Sequence, residues 1–185
     1  MKKGVQLDQE FQKLFDAIKD RKADTIFRAV AEKLKIHNME LIDPTFLIKD
    51  LLAPKGTLTR RAPTLKELDD VGFGRGIAKA MGSIDVGQTV VIKERAIVAI
   101  EAMEGTDQTI LRGGRIARSG SVVIKMSKPD QDMRFDVPVV GMRTIETMAQ
   151  AKATCLAVEA GKTILIDREK MINLADKYKI CVLAI

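Results

Sequence analysis

A chain of 185 residues with 46% hydrophobic and 30% charged side chains has the composition of a folded protein, which excludes wholesale disorder and allows one sizeable core, or one domain with part of another. A net charge of +6 suits an acidic partner, but no Trp, one Tyr and no interleaving of aromatic with basic residues argue for anionic lipid or a phosphorylated small molecule and against nucleic acid. The first twenty residues are polar and charged, and no apolar run approaches the roughly 20 residues of a membrane span, so the sequence predicts a soluble protein and leaves a peripheral encounter with a membrane open.

Leu7, Phe11, Leu14, Phe15 and Ile18 recur at helical spacing. After the charged break at Lys19–Lys22, Ile26, Phe27, Val30, Ala31 and Leu34 do the same, which predicts two amphipathic helices within residues 6–36 whose apolar stripes form core. Met39–Ile42 reads as a short strand, and Asp43-Pro44-Thr45 as a turn capping a helix Phe46–Leu52. His37 is the one histidine, so neither a Ser-His-Asp or Cys-His triad nor a zinc site is expected. Cys155 and Cys181 sit in apolar contexts and read as buried, reduced thiols of a cytosolic protein.

The Pro, Gly and polar density of Ala53–Pro63 marks a linker or an extended crossing segment, and a domain boundary is placed there. Thr64 and Glu67 form a capping box for a helix Leu65–Met81. Gly72, Gly74 and Gly76 lack the lysine and the preceding strand of a nucleotide fingerprint, and are read as permitting a helix break or close packing. Gln88–Ile92 and Ala96–Glu101 are rich in Val and Ile around the turn Lys93-Glu94-Arg95, the pattern of a hairpin.

Glu104-Gly105-Thr106-Asp107 follows that hairpin. Gly105 allows a sharp turn, and Thr106 or Asp107 can cap a helix to about Arg112. A strand end, a glycine and a helix start bring backbone N–H groups together where an anion is welcome, although the same acids also serve simply to cap the helix and complement its dipole. Arg112, Arg115 and Arg118 are spaced by three in a flexible segment bracketed by Gly113-Gly114 and Ser119-Gly120, as a solvated basic face or a phosphate clamp. Ser121–Met126 is a strand.

Lys125–Val139, KMSKPDQDMRFDVPV, is the stretch whose charges fall at a spacing chemistry can use. Pro129 and Pro138 bias their predecessors to extended geometry. A period of two then sends Asp130, Asp132, Arg134 and Asp136 to one face and Gln131, Met133, Phe135 and Val137 to the other, with same-face residues about 6.6 Å apart. One carboxylate can pair with Arg134 while another holds a divalent ion or orients water, and magnesium suits such a site because it takes one or two carboxylates plus substrate phosphate. An exposed edge strand whose charges deter sheet-to-sheet pairing is the alternative.

Beyond it come a helix Thr144–Ala153, strands Cys155–Glu159 and Thr163–Ile166, a helix Arg168–Lys177 capped by Asp167, and a closing apolar strand Ile180–Ile185. Hairpin plus strand–helix–strand alternation gives an α/β (or α+β) fold with a mixed β-sheet flanked by helices, preceded by a short, mainly helical N-terminal segment.

Three stretches, Asp85-Val86-Gly87-Gln88, Glu101-Ala102-Met103-Glu104-Gly105-Thr106-Asp107 and Lys128-Pro129-Asp130-Gln131-Asp132-Met133-Arg134-Phe135-Asp136-Val137-Pro138, occur in this order between Ala53-Pro54-Lys55-Gly56 and Glu159-Ala160-Gly161-Lys162-Thr163. Together they resemble the UDP-2,3-diacylglucosamine pyrophosphatase family of lipid A biosynthesis, well over residues 40–185 and loosely before. The resemblance implies magnesium-assisted hydrolysis of UDP-2,3-diacylglucosamine to UMP and 2,3-diacylglucosamine 1-phosphate at the cytoplasmic surface of the inner membrane. It implies that residues 1–53 are the end of an N-terminal Rossmann-like domain, about 80 residues of which would precede Met1, and that residues 54–185 are a C-terminal α/β domain carrying the acidic motifs. Carried over by position, Asp132 and Asp136 are catalytic or hold Mg2+, followed by Asp107 and Glu104. Arg134 and Lys128 neutralise phosphate charge, and Gln88 and Thr106 position the substrate. A non-catalytic lipid- or nucleotide-binding module is the alternative function, and a homodimer is left open.

Overall fold

The computed structural model describes residues 8–20, 22–129 and 132–185. The chain up to Pro44, with Asp132–Asp136, makes one compact unit, and Thr45–Gln131 with Val137–Ile185 makes a second.

In the first unit α1 (Gln9–Ala17) and α2 (Ala23–Ile36) are the two amphipathic helices expected. Asp8 caps α1, its Oδ1 accepting the Phe11 N–H at 2.7 Å. Glu10 joins the helices by accepting from Lys33 at 2.6 Å and Lys13 at 3.0 Å. Leu7 lies outside the described residues. The expected strand Met39–Ile42 does not form: it has no ladder partner among the described residues, and Met39 and Ile42 are half exposed. The expected helix Phe46–Leu52 is replaced by two 3-10 turns, Pro44–Phe46 and Lys49–Leu51, since so short a stretch cannot sustain α-helical nucleation.

The second unit is an α/β structure built on a mixed sheet. Among the described residues its strands are β1 (Gly56–Thr57), β2 (Thr89–Lys93), β3 (Ala96–Ile100), β4 (Val122–Lys125), β6 (Cys155–Val158) and β8 (Cys181–Ala184), in the spatial order β1-β8-β6-β4-β2-β3. β4, β6 and β8 run parallel, while β1, β2 and their partners pair antiparallel. Two short strands, β5 (Val139–Val140) and β7 (Ile164–Leu165), pair parallel beside it.

Period-two burial explains why the three parallel strands read as unbroken apolar runs. Val123, Leu156 and Val182 enter one core with Ile110, Ile145, Met148 and Met171 from α4 (Thr106–Ala117), α5 (Met142–Gln150) and α6 (Arg168–Lys177). Their neighbours Ile124, Ala157 and Leu183 enter another with Val71 and Ala78 of α3 (Leu65–Ser83). Both faces are covered, so each residue of these strands is valuable: burying a Val, Leu or Ile side chain stabilises by about 1.5–3 kcal/mol.

The Pro- and Gly-rich segment before α3 is an extended crossing segment. Gly56–Thr57 pair with Ala184 and Leu183, and Thr59 Oγ1 accepts the Val182 N–H at 3.0 Å. Arg61 then forks onto Glu67 at 2.9 Å and reaches the carbonyls of Thr154 and Lys179. The capping box is present, with Thr64 Oγ1 accepting the Glu67 N–H at 3.2 Å and Glu67 Oε2 the Thr64 N–H at 2.8 Å. Helix α4 continues through Gly113 and Gly114, where a flexible basic segment was expected. A side chain at Gly113 would press on Val91 at 2.8 Å and one at Gly114 on the Ala151 carbonyl at 2.6 Å, so these glycines let α4 lie against the sheet and α5.

Candidate functional site

The stretch from Asp132 is a turn in the first unit, where a strand face was expected. Phe135 N–H and Asp136 N–H both reach the Asp132 carbonyl, at 3.1 and 3.4 Å. The Asp132 carboxylate turns back on its own chain, accepting Arg134 N–H at 3.2 Å, Nε at 2.9 Å and Nη2 at 2.8 Å. With no strand partner among the described residues, this local Asx-type bonding wins over extension. The Arg134 guanidinium lies over the Phe135 ring at 4.9 Å, and that ring stacks on Phe27 at 5.5 Å. Arg134 holds the Asp132 carboxyl below the usual carboxylate range, chiefly by these hydrogen bonds. Asp130 and Gln131, expected on opposite faces of the strand, lie outside the described residues.

Both oxygens of Asp132 accept from Arg134, so a Mg2+ ion held by Asp132 would share that carboxylate with the guanidinium. Among the described residues no group of three or more His, Cys, Asp or Glu side chains is arranged to hold a metal.

In the second unit Glu104, Thr106 and Asp107 are brought into the wall of one cleft of about 690 Å³. It lies where α4, α5 and α6 begin: Gly105-Thr106-Asp107, Gly141-Met142-Arg143-Thr144, and Ile166-Asp167 line it, with Lys125 from the end of β4. Each helix follows a strand (β3, β5 or β7), so its first turn sits past a carboxyl strand end, where ligands bind in open α/β sheets. None of the three has a side-chain cap: Gly105 and Gly141 carry no side chain, and that of Asp167 makes no cap bond. Gly105 takes φ +82, a conformation favouring glycine, to turn the chain into α4. Uncapped first turns present backbone N–H groups and the positive ends of helix dipoles.

Polar side chains order this end of the sheet. Lys125 Nζ donates to Thr106 Oγ1 at 2.9 Å, and Thr106 Oγ1 donates to Glu101 Oε1 at 2.8 Å. Arg143 Nε lies 2.7 Å from Asp107 Oδ2. Glu104 pairs with Arg112, which also donates to the Ile100 carbonyl at 2.7 Å. A bond from its own backbone N–H, and then Arg112, lower the Glu104 pKa. Val139, Met142 and Ile166 add a partly exposed apolar wall. Such a place can take a phosphate with an apolar group attached.

Lys128, expected at phosphate, is buried and paired with Asp85 at 2.6 Å. Gln88 precedes β2, its carbonyl accepting the Met126 N–H at 3.0 Å. Next to them Glu159, at the end of β6, binds Lys79 at 2.6 Å, Lys162 at 3.2 Å and the Ser127 N–H at 3.0 Å. Burial pushes the Glu159 carboxyl up, but the hydrogen bonds from Lys79, Ser127 and Lys162 prevail and hold it at about 2.

Lys125 and Arg143 were not singled out in the sequence. The signal for Arg143 was the same as at Gly105: Val140-Gly141-Met142-Arg143 is again a strand end, a glycine and a helix start. Lys125 was visible as the first charged residue after the apolar run Val122–Ile124, hence at a carboxyl strand end.

A family model described as the LpxI C-terminal domain matches residues 54–183. The chain is also 30% identical over 170 residues to the UDP-2,3-diacylglucosamine pyrophosphatase LpxI of Caulobacter vibrioides, a match covering 88% of this chain and 61% of that protein. The chain thus spans about three-fifths of the length of that curated relative.

Proposed function

Because the chain belongs to the family of the LpxI C-terminal domain, we propose that it acts in lipid A biosynthesis, hydrolysing the pyrophosphate of UDP-2,3-diacylglucosamine to UMP and 2,3-diacylglucosamine 1-phosphate. The cleft at the starts of α4, α5 and α6 carries this proposal. Its uncapped N–H groups and Lys125 suit the phosphates, and the wall of Val139, Met142 and Ile166 suits an acylated sugar.

Hydrolysis of a pyrophosphate gathers negative charge on the phosphoryl oxygens as water attacks. Fixed N–H dipoles and a held ammonium stabilise that charge without reorganising. Asp132 and Asp136 keep the catalytic role implied by the Asp132-Met133-Arg134-Phe135-Asp136 run, with Asp132 ionised at working pH beside Arg134. Magnesium is proposed as a companion of the substrate pyrophosphate, where it uses few protein ligands and keeps its waters. No described helix is long and apolar enough to cross a membrane. The acylated substrate therefore implies a surface encounter with lipid.

The test is release of UMP from UDP-2,3-diacylglucosamine dispersed in detergent with Mg2+, by the chain and by Asp132→Ala. Release by the wild type and its loss in the variant are expected. Tight binding of the glycolipid with no UMP released would replace hydrolysis by the binding-module alternative.

A further inference from the structure

Thr106 Oγ1 stands between two partners of opposite kind. Glu101 Oε1, 2.8 Å away, belongs to a side chain that accepts, and Lys125 Nζ, 2.9 Å away, belongs to one that only donates. A hydroxyl has a single proton, so the order is fixed: Lys125 donates to Thr106, and Thr106 donates to Glu101. Glu101 comes from the end of β3, Thr106 is the first residue of α4, and Lys125 is the last residue of β4. The chain of bonds therefore ties an ammonium group to the helix turn whose N–H groups open into the cleft.

Glu101 is unusual in this arrangement. Its Oε2 is buried and has no protein hydrogen-bond partner among the described residues. Leaving a buried acceptor unsatisfied is costly, and a carboxylate is not needed to cap α4, whose N-cap is Gly105. Its presence is accounted for if its charge serves the group at the other end of the chain. Without it the Thr106 hydroxyl could turn its proton toward Thr89 Oγ1, 3.4 Å away, or toward solvent, and its lone pairs would leave Lys125.

We infer that Glu101 is a positioning residue which, through Thr106, holds the Lys125 ammonium at the start of α4 to receive a phosphate group in the cleft. This rests on the cleft being the phosphate site proposed above. Glu101 itself does not touch the ligand. Its effect is to make Lys125 and the α4 N–H groups one rigid receptor for an anion, where a free lysine would have to be ordered at each binding event.

The test uses the full chain and inorganic pyrophosphate as the probe, with binding followed by titration calorimetry. Lys125→Met is expected to weaken binding roughly tenfold, and Glu101→Gln and Thr106→Val to weaken it by a similar factor to each other, as charge-assisted bonds acting in series. The double variant Glu101→Gln/Thr106→Val should be no weaker than either single variant, because both break the same chain. Thr106→Ser keeps the hydroxyl and should bind within about twofold of the wild type. Thermal melting accompanies each titration, and Thr106→Ser, which removes one methyl group, and Glu101→Gln, nearly isosteric, guard against misreading an unfolded protein.

Wild-type binding by Glu101→Gln, multiplied losses in the double variant, a loss in Thr106→Ser as large as in Thr106→Val, or no pyrophosphate binding at all would each overturn the inference. The expected pattern without UMP release from UDP-2,3-diacylglucosamine would overturn hydrolysis and leave the positioning role standing. Hydrolysis with Glu101→Gln unchanged in pyrophosphate binding would do the reverse.

Discussion

Arg143 Nε lies 2.7 Å from Asp107 Oδ2, so the first turn of α5 is tied to the first turn of α4 at the cleft. Asp107 is well placed there, since a helix N-terminus favours an anion. Arg143 is not, because it sets a cation in the first turn of α5, against the dipole. The arginine is also largely exposed at 85%, where an ion pair contributes little. Arg143→Ala should therefore change stability by less than about 1 kcal/mol, while raising KM for the proposed substrate, UDP-2,3-diacylglucosamine, roughly tenfold with a smaller effect on kcat. Chemical denaturation and steady-state kinetics on one preparation check both halves, and a large loss of stability with KM unchanged would contradict the assignment.

Acid should weaken the second unit through Glu67 and Glu159. Burial raises both carboxyls, but the Arg61 bonds at Glu67 and the Lys79, Ser127 and Lys162 bonds at Glu159 win, and each is held at about 2. In the unfolded chain the same groups titrate at the ordinary glutamate value near 4.5. A depressed folded pKa means that the unfolded state binds more protons, so the stabilisation is complete above pH 4.5 and is lost as pH falls toward 2. Melting temperature measured from pH 6 to pH 2.5 should drop, and drop less steeply in Glu159→Gln. Equal slopes in wild type and variant would show that the Glu159 cluster does not report the acid transition.

Three glycines of α3, two apart, should respond in opposite directions to alanine. Added methyl groups at Gly72 and Gly76 meet nothing within 4 Å, whereas one at Gly74 would collide with Ile124 Cδ1 and Ile92 Cγ1. Gly72→Ala and Gly76→Ala should each stabilise by about 0.4–1 kcal/mol through reduced chain entropy. Gly74→Ala should destabilise by about 1–3 kcal/mol through overpacking. Urea unfolding of the three variants decides it, and the same sign at all three positions would refute the packing of α3 on β2 and β4.

Arg134 should govern the acid limb of any activity that needs ionised Asp132. Its hydrogen bonds and charge lower the Asp132 pKa, so Arg134→Ala should move that limb of the kcat/KM profile to higher pH. Asp132→Asn should lower kcat/KM by roughly 10²–10⁴-fold, the range for loss of a general acid or base. An unmoved limb in Arg134→Ala would mean that the titrating group is not Asp132.

The parts of the fold legible in the sequence were those decided locally or by continuous burial. Val122–Lys125, Cys155–Val158 and Cys181–Ala184 announce themselves because a strand covered on both faces has no polar alternation to confuse it. Thr64 and Glu67 mark the start of α3 because a capping box needs only its own four residues. Gly113 and Gly114 misled because a glycine pair signals flexibility by itself, and the reason for it, the approach of Val91 and Ala151, comes from residues 22 and 37 positions away by their numbers. Asp132 misled in the other direction. Its alternation with Arg134 and Asp136 resembled a strand face, yet a strand needs a neighbour, and a bond to Arg134 two residues on needs none. The anion-binding promise of Gly105 was readable, and Gly141 carries the same local pattern; the meeting of both with Lys125 is a product of topology.

β8 lies between β6 and β1, although both of its neighbours precede it in the chain. Until Cys181–Ala184 arrives, β6 presents a bare apolar edge and the two-residue β1 has nothing to pair with. From Val158 to Cys181 the growing polypeptide therefore carries an open strand edge, and β8 closes it when it inserts between β6 and β1.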